Sequence, residues 1–184
     1  VLSRAMPIDE AGLMATEVDY RGLKWGATKE QALLSEKGEK VFEDDSSLLF
    51  KVRVSSLQTI ASFTFEDNGL VAGAYQLVEK HSNPNKYVDD YMRLKALLTK
   101  KYGEPLTDLE SWSQDLYKGD KQDYGLAVSA GHLVYVTRWQ TTTSQIEMVL
   151  SGDNFELSHW VLYKSIDYAE RSLALQEQES LEEL

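Results

Sequence analysis

Apolar and polar positions alternate most cleanly between Ser47 and Glu79. Leu57, Thr59, Ala61, Phe63 and Phe65 fall on one parity and Gln58, Ser62, Thr64 and Glu66 on the other, with Ile60 as the exception on the polar side. A period of two marks a half-buried strand. Leu48, Phe50, Val52 and Val54 alternate in the same way just upstream and predict a neighbouring strand. Asp67-Asn68-Gly69 separates the central run from the next, and asparagine-glycine between apolar runs is a strong hairpin signal. A two-residue loop of Asn68-Gly69 would pair Phe65 with Ala72 and split the large side chains between two faces. A three-residue loop with Gly69 left-handed pairs Phe65 with Val71, Ala61 with Tyr75 and Thr59 with Leu77. That register gathers the large side chains on one face and is the one expected.

The same reading continues along the chain. Thr28 and Gln31 make a capping box for a short helix that Gly38 can end. Asn83 and Pro84 suit the start of a longer helix, whose stripe is Tyr87, Tyr91, Leu94, Leu98 and Tyr102. Lys100 and Lys101 suit its last turn, Gly103 ends it and Pro105 prevents a restart. Leu109, Trp112, Leu116 and Tyr117 predict a short amphipathic helix over Thr107 to Lys118. Leu126 to Ala130 fits a turn of helix or a short strand. A second meander follows: Leu133 to Trp139, then Ile146 to Leu150, then Leu157 to Tyr163, with turns at Thr141–Ser144 and Ser151–Asn154. The fold class expected is α+β, with two antiparallel meanders each preceded by helix, and a possible internal duplication. Residues 1–19 read as an N-terminal arm. Residues 20–166 read as one domain with pseudo-repeats over about 20–82 and 83–166, and 167–184 as a helical tail, either docked or dependent on a partner.

Charge narrows the functions available. The 184 residues carry a net charge of -11, which disfavours nucleic acid and anionic lipid, both of which need Lys/Arg neutralisation. No apolar run is long enough to span a bilayer, so the chain is not expected to be transmembrane. The absence of cysteine removes disulfides, thiolate metal sites and a cysteine nucleophile.

Candidate chemistry is sparse. His81, His132 and His159 lack paired ligand spacing, and His159 falls on an apolar strand face, where a core histidine is expected. Asp120, Asp123 and Gly125 loosely suggest a calcium loop, but the spacing and the bidentate glutamate of an EF-hand are missing. Glu43-Asp44-Asp45 and Asp89-Asp90 fit a turn and a helix start better than acid–base pairs. No nucleophile elbow, phosphate loop or dinucleotide fingerprint is present. No catalytic residue, metal or cofactor is therefore expected. The aromatic side chains of the second half are the remaining signal: Trp112, Tyr135, Trp139, Trp160 and Tyr163. Trp139 shares its parity with Leu133 and Tyr135, whereas Trp160 opposes Val161 and Tyr163, so one side of that sheet can show aromatic surface away from the core; plain core packing is the alternative, and strand pairing can still bring both indoles to one face. Aromatic anchors are enriched at interaction sites.

Trp25-Gly26-Ala27-Thr28-Lys29-Glu30-Gln31-Ala32 resembles an opening block of uncharacterised bacterial proteins that are often exported or lipid-anchored. Lys101-Tyr102-Gly103-Glu104-Pro105, followed by Trp112, looks like a second block of the same kind. More remotely, both are similar to the beta-lactamase-inhibitor-protein-like fold, which pairs helices with an antiparallel sheet. The resemblance implies a binding or assembly module, periplasmic or secreted, and transfers no catalytic residue. The function expected is a non-enzymatic module that binds a protein or small ligand through an aromatic sheet face. Two alternatives stay open: a cytosolic acidic chaperone or immunity-type protein with a basic client, and a hydrolase with an unrecognised site.

Overall fold

The computed structural model describes residues 12–182 apart from Met14, so most of the expected arm and the last two residues of the tail lie outside the described residues. The chain builds one eight-stranded antiparallel sheet in the order β1-β2-β3-β4-β8-β7-β6-β5. The first half supplies α1 (Lys29–Ser35), β1 (Glu39–Glu43), β2 (Ser47–Val54), β3 (Leu57–Glu66) and β4 (Gly69–Leu77). The second supplies α2 (Asn85–Tyr102), β5 (Thr107–Trp112), α3 (Tyr124–Ser129), β6 (Leu133–Gln140), β7 (Ser144–Asp153) and β8 (Glu156–Ser165). α4 (Ile166–Glu182) follows without a loop. The last strand of each half meets the other at the middle, where Gly73 faces Tyr163 and Tyr75 faces Val161. The fold is thus α+β with antiparallel meanders.

The central turn differs from both loops considered. Asp67 and Asn68 form it, with φ of 49° and 65°, and Glu66 pairs with Gly69. Two positive φ values in a two-residue loop are the signature of a type I′ turn, whose twist matches that of the flanking strands. Ala61–Tyr75 and Thr59–Leu77 pair as expected, but Phe65 faces Leu70, and a register shift after Thr64 absorbs the extra residue. Gly69 is not left-handed. A β-carbon there would stand 3.2 Å from the Cα of Gly26, which explains why the position is small. The backbone at Gly26–Ala27 bonds to Leu70 in both directions, each at 2.8 Å, and brings that close approach about.

Two expectations about elements are corrected. Thr107–Trp112 is a strand, not the start of a helix, and pairs along its length with β6. α1 ends at Ser35, and Gly38 instead lies against β2, ahead of the extra edge strand β1. Leu126 to Ala130 falls mainly within α3.

Alternate residues of the sheet form a single core face. One cross-strand row runs Leu48, Phe63, Gly73, Tyr163, Ile146 and Trp139. α2 roofs the second half with Tyr91, Leu94, Leu98 and Tyr102 buried. Its Tyr91 hydroxyl and Thr137 Oγ1 lie 2.6 Å apart. Thr137 gives its only hydroxyl proton to Asp108 at 3.1 Å, so Tyr91 donates to Thr137; Asp108 also accepts from Lys95 at 2.7 Å. Asn83 Oδ1 accepts from Asn85 N–H and caps the start of α2. The segment Asp19–Ala27 covers the junction of the halves. Tyr20 lies over Gly73 between Phe63, Tyr75 and Tyr163, and its hydroxyl donates to the Ala74 carbonyl.

Candidate functional site

Helices α1 to α3 and the Asp19–Ala27 segment pack on one face of the sheet, and no layer of the described residues covers the other. Hydrogen-bond register defines what that open face presents. One row crosses all eight strands: Glu39, Lys51, Ile60, Gln76, Trp160, Val149, Val136 and Leu109. The next row runs Phe42, Leu49, Ser62, Ala74, Leu162, Glu147, Arg138 and Thr107. Ile60, Trp160, Leu162, Val149, Val136 and Val134 are all half-buried, while Leu109 is 51% and Phe42 47% exposed. Ala72 and Ala74 sink between these larger neighbours. Opposite charges on adjacent strands keep Arg138 paired with Glu147, and Lys51 with Glu39 at 3.6 Å. Lys164 and Arg53 have no carboxylate partner among the described residues; Arg53 donates to the Ser56 carbonyl.

A hollow of about 290 Å³ interrupts the face towards β5. Leu106, Arg138, Gln140, Gln145, Leu162 and Lys164 are among the residues that line it. Leu106 is held over the end of β6 by its N–H, which donates to the Arg138 carbonyl at 2.9 Å.

The five aromatic residues singled out from sequence do not share this surface. Tyr135, Trp139 and Tyr163 are core residues, exposed by 3%, 1% and 4%. Trp112 also lies on the core side of edge strand β5, its ring against Tyr124 and its Nε1 donating to Glu110. Only Trp160 stands on the open face, where Nε1 donates to Ser158 Oγ at 2.8 Å and holds the indole along the strand. The physical reason is register: Tyr135 aligns with Leu150 and His159, and Trp139 with Ile146 and Tyr163, all beneath the helices. Burial, the largest cause in each case, raises the phenol pKa of Tyr135 and Tyr163, so both remain neutral donors. Sequence reading named Leu162 beside an exposed tryptophan but missed Val136, Val149 and Leu109 as surface partners of Trp160. The available signal was apolar residues on both parities of β6 to β8, together with Ile60 on the polar side of β3; a strand apolar on both parities has two faces to cover.

The three histidines are widely separated in role. His81 Nε2 lies 2.6 Å from Asp90 Oδ2 at the strand-to-helix junction. His132 stacks on Tyr117, and its Nδ1 is buried without a partner among the described residues. His159 is buried beside Tyr91, with its pKa lowered to about 4 by desolvation. No group of three or more metal-ligating side chains converges among the described residues, and no described helix is long and apolar enough to cross a membrane. A scan against protein-family models and searches among curated proteins and solved structures return no match.

Proposed function

We propose that the chain is a non-enzymatic binding module of an exported bacterial protein, and that a partner protein docks on the open face of its sheet around Trp160. The cross-strand row from Ile60 through Trp160 to Leu109 carries this reading. Sheets bury apolar faces against a second layer, and an apolar patch rimmed by polar residues marks an interaction site. A rigid indole with Val149 on one flank and Gln76 on the other suits a hot spot, because little conformational entropy is lost when it is covered. Export rests on the two sequence blocks described above. A basic client would instead seek the acidic residues of α4 and of the Asp44-Asp45 turn, so it predicts contacts elsewhere.

A second reading, a small ligand in the hollow beside Leu106, is supported by Arg138, Gln140, Gln145 and Lys164 on its walls. Its volume lies at the lower edge of the usual range for ligand pockets, roughly 300–1,000 Å³, and the hollow opens onto the flat apolar face, which favours a partner that covers both.

A photo-cross-linking amino acid at Val149 tests the docking reading in producing cells, with Leu116, exposed on a loop, as control. The expected result is a discrete adduct from Val149, identified by mass spectrometry, that the control position does not give. No adduct from the open face, or the same adducts from both positions, would overturn it.

A further inference from the structure

Helix α4 has an unmet need that mirrors that of the open face. It starts at the residue after β8 ends, and none of its residues is buried. Leu173, Leu175 and Leu181 are 58%, 61% and 71% exposed. Few bonds tie it down: Ile166 N–H to the Thr143 carbonyl, Tyr168 N–H to Ser165 Oγ, and Arg171 to Glu66 at 2.9 Å. An isolated helix of such length is marginal in water, and helices in proteins are held chiefly by packing of an apolar face.

We infer that the partner on the open face is α4 of a second copy of this chain, exchanged reciprocally to form a two-fold dimer. The inference rests on the docking reading given above and names the occupant. Connectivity argues against the chain's own helix: with no loop residue between β8 and α4, the helix cannot reverse over its own strand. Its first turns instead reach across the strand ends to Glu66 of β3. Charge argues for the helix of another copy. α4 carries Asp167, Glu170, Glu177, Glu179 and Glu182, none of which forms an ion pair among the described residues. The open face carries Lys164 and Arg53, likewise without carboxylate partners. Lys164 lies on β8 and Arg53 on β2, with β4 and β3 between them. Lys164 is level with Ser47, six residues from Arg53, which with three strand spacings puts the two roughly 25 Å apart on the diagonal. α4 as a whole is about 25 Å long, but its first turns are held at Glu66, and the part beyond Arg171 is about 16 Å. That part is too short for the diagonal and fits along β8 over Leu162 and Trp160, beside Val149, with Glu179 and Glu182 towards Lys164. Two such contacts related by a two-fold axis are closed and leave no open end for further growth.

Sedimentation equilibrium of the full chain over a concentration series tests this, with three variants. Trp160→Gln removes the anchor of the face. Val149→Lys attacks the same face at a second position, in case loss of the indole perturbs folding. Leu173→Gln combined with Leu181→Gln removes apolar contacts from α4 at exposed positions that no fold contact needs. The expected result is a dimer for the unaltered chain and monomers for each variant. A mixture of Val149→Lys with the α4 variant should regain dimer mass, because one intact helix and one intact face can still meet. A monomer at all concentrations overturns the inference. So does a dimer that survives the α4 changes but not Val149→Lys, which would mean sheet packed directly on sheet. Failure here and failure of the docking reading are distinct: a monomer whose Val149 cross-links to a different protein refutes only the exchange of α4, whereas loss of any open-face adduct refutes both.

Discussion

His159 stands on the core face of β8 with a buried Nε2 that has no partner among the described residues. Desolvation holds its folded pKa at about 4, against an ordinary value of 6.5. Above pH 6.5 the residue is neutral in both states and adds no pH dependence. As the pH falls below 6.5, the unfolded chain takes up a proton that the folded chain refuses until about pH 4. Stability should therefore drop by up to about 1.4 kcal/mol per pH unit across that window. Urea unfolding at pH 7 and pH 5 should show the loss in the unaltered protein and a flatter profile in His159→Leu; equal pH dependence of the two would contradict this. Gly152 supplies a second residue-scale case. It sits opposite Leu157 on the core face, and a β-carbon there would lie 2.3 Å from the Val128 carbonyl oxygen of α3. Because that neighbour is backbone, Gly152→Ala should cost about 1–3 kcal/mol, the usual cost of overpacking, seen as a lower urea midpoint at unchanged slope.

At the scale of elements, α2 is held by its buried stripe. Leu94→Ala should cost about 2–5 kcal/mol, as cavity-forming changes do, whereas Arg93, exposed on the helix surface, should tolerate alanine to within about 0.5 kcal/mol. Equal effects of the two, measured by thermal and urea unfolding, would remove the stripe from the account. The stripe was legible because its spacing follows the helix period, and both meanders were legible because alternation follows the strand period. The edge strands were not. All five residues of β1 are exposed, so no alternation exists to detect. β5 pairs with one neighbour only, and Leu109, Trp112 and Leu116 happen to recur at helical spacing. The turn at Asp67-Asn68 was misplaced by one residue because Gly69 answers to the backbone of Gly26, a contact remote in sequence. Of the candidate site, the opposite parities of Trp139 and Trp160 could be read, and strand pairing settled that they lie on opposite faces. The burial of Tyr135 and Tyr163 beneath α2 and Tyr20 depended on strand register that the sequence leaves open.

For the whole molecule, the two halves share one sheet and one lid. β4 pairs with β8, and the resemblance block at Trp25–Thr28 acts as structure: Trp25 Nε1 donates to Ser144 Oγ at 2.9 Å, while Thr28 and Gln31 cap α1. Asp19, which is buried, accepts from Trp25 N–H at 2.9 Å and from the hydroxyls of Thr143 and Ser144 in the second half. Asp19→Ala should cost about 1.5–3 kcal/mol, in line with hydrogen bonds to a charged group, and unfolding should remain a single transition followed alike by fluorescence and circular dichroism. Separate transitions for the halves would show that the junction does not couple them. With α1, α2 and α3 on one face, the open face is the surface we propose for recognition. Hydroxyl-radical footprinting, in producing cells and again after purification and high dilution, tests that assignment directly. The account predicts that Trp160, Val149 and Leu109 are labelled less in cells than in dilute solution, while Leu34 and Leu116 are labelled equally in both. Equal labelling of the open face under the two conditions would contradict it.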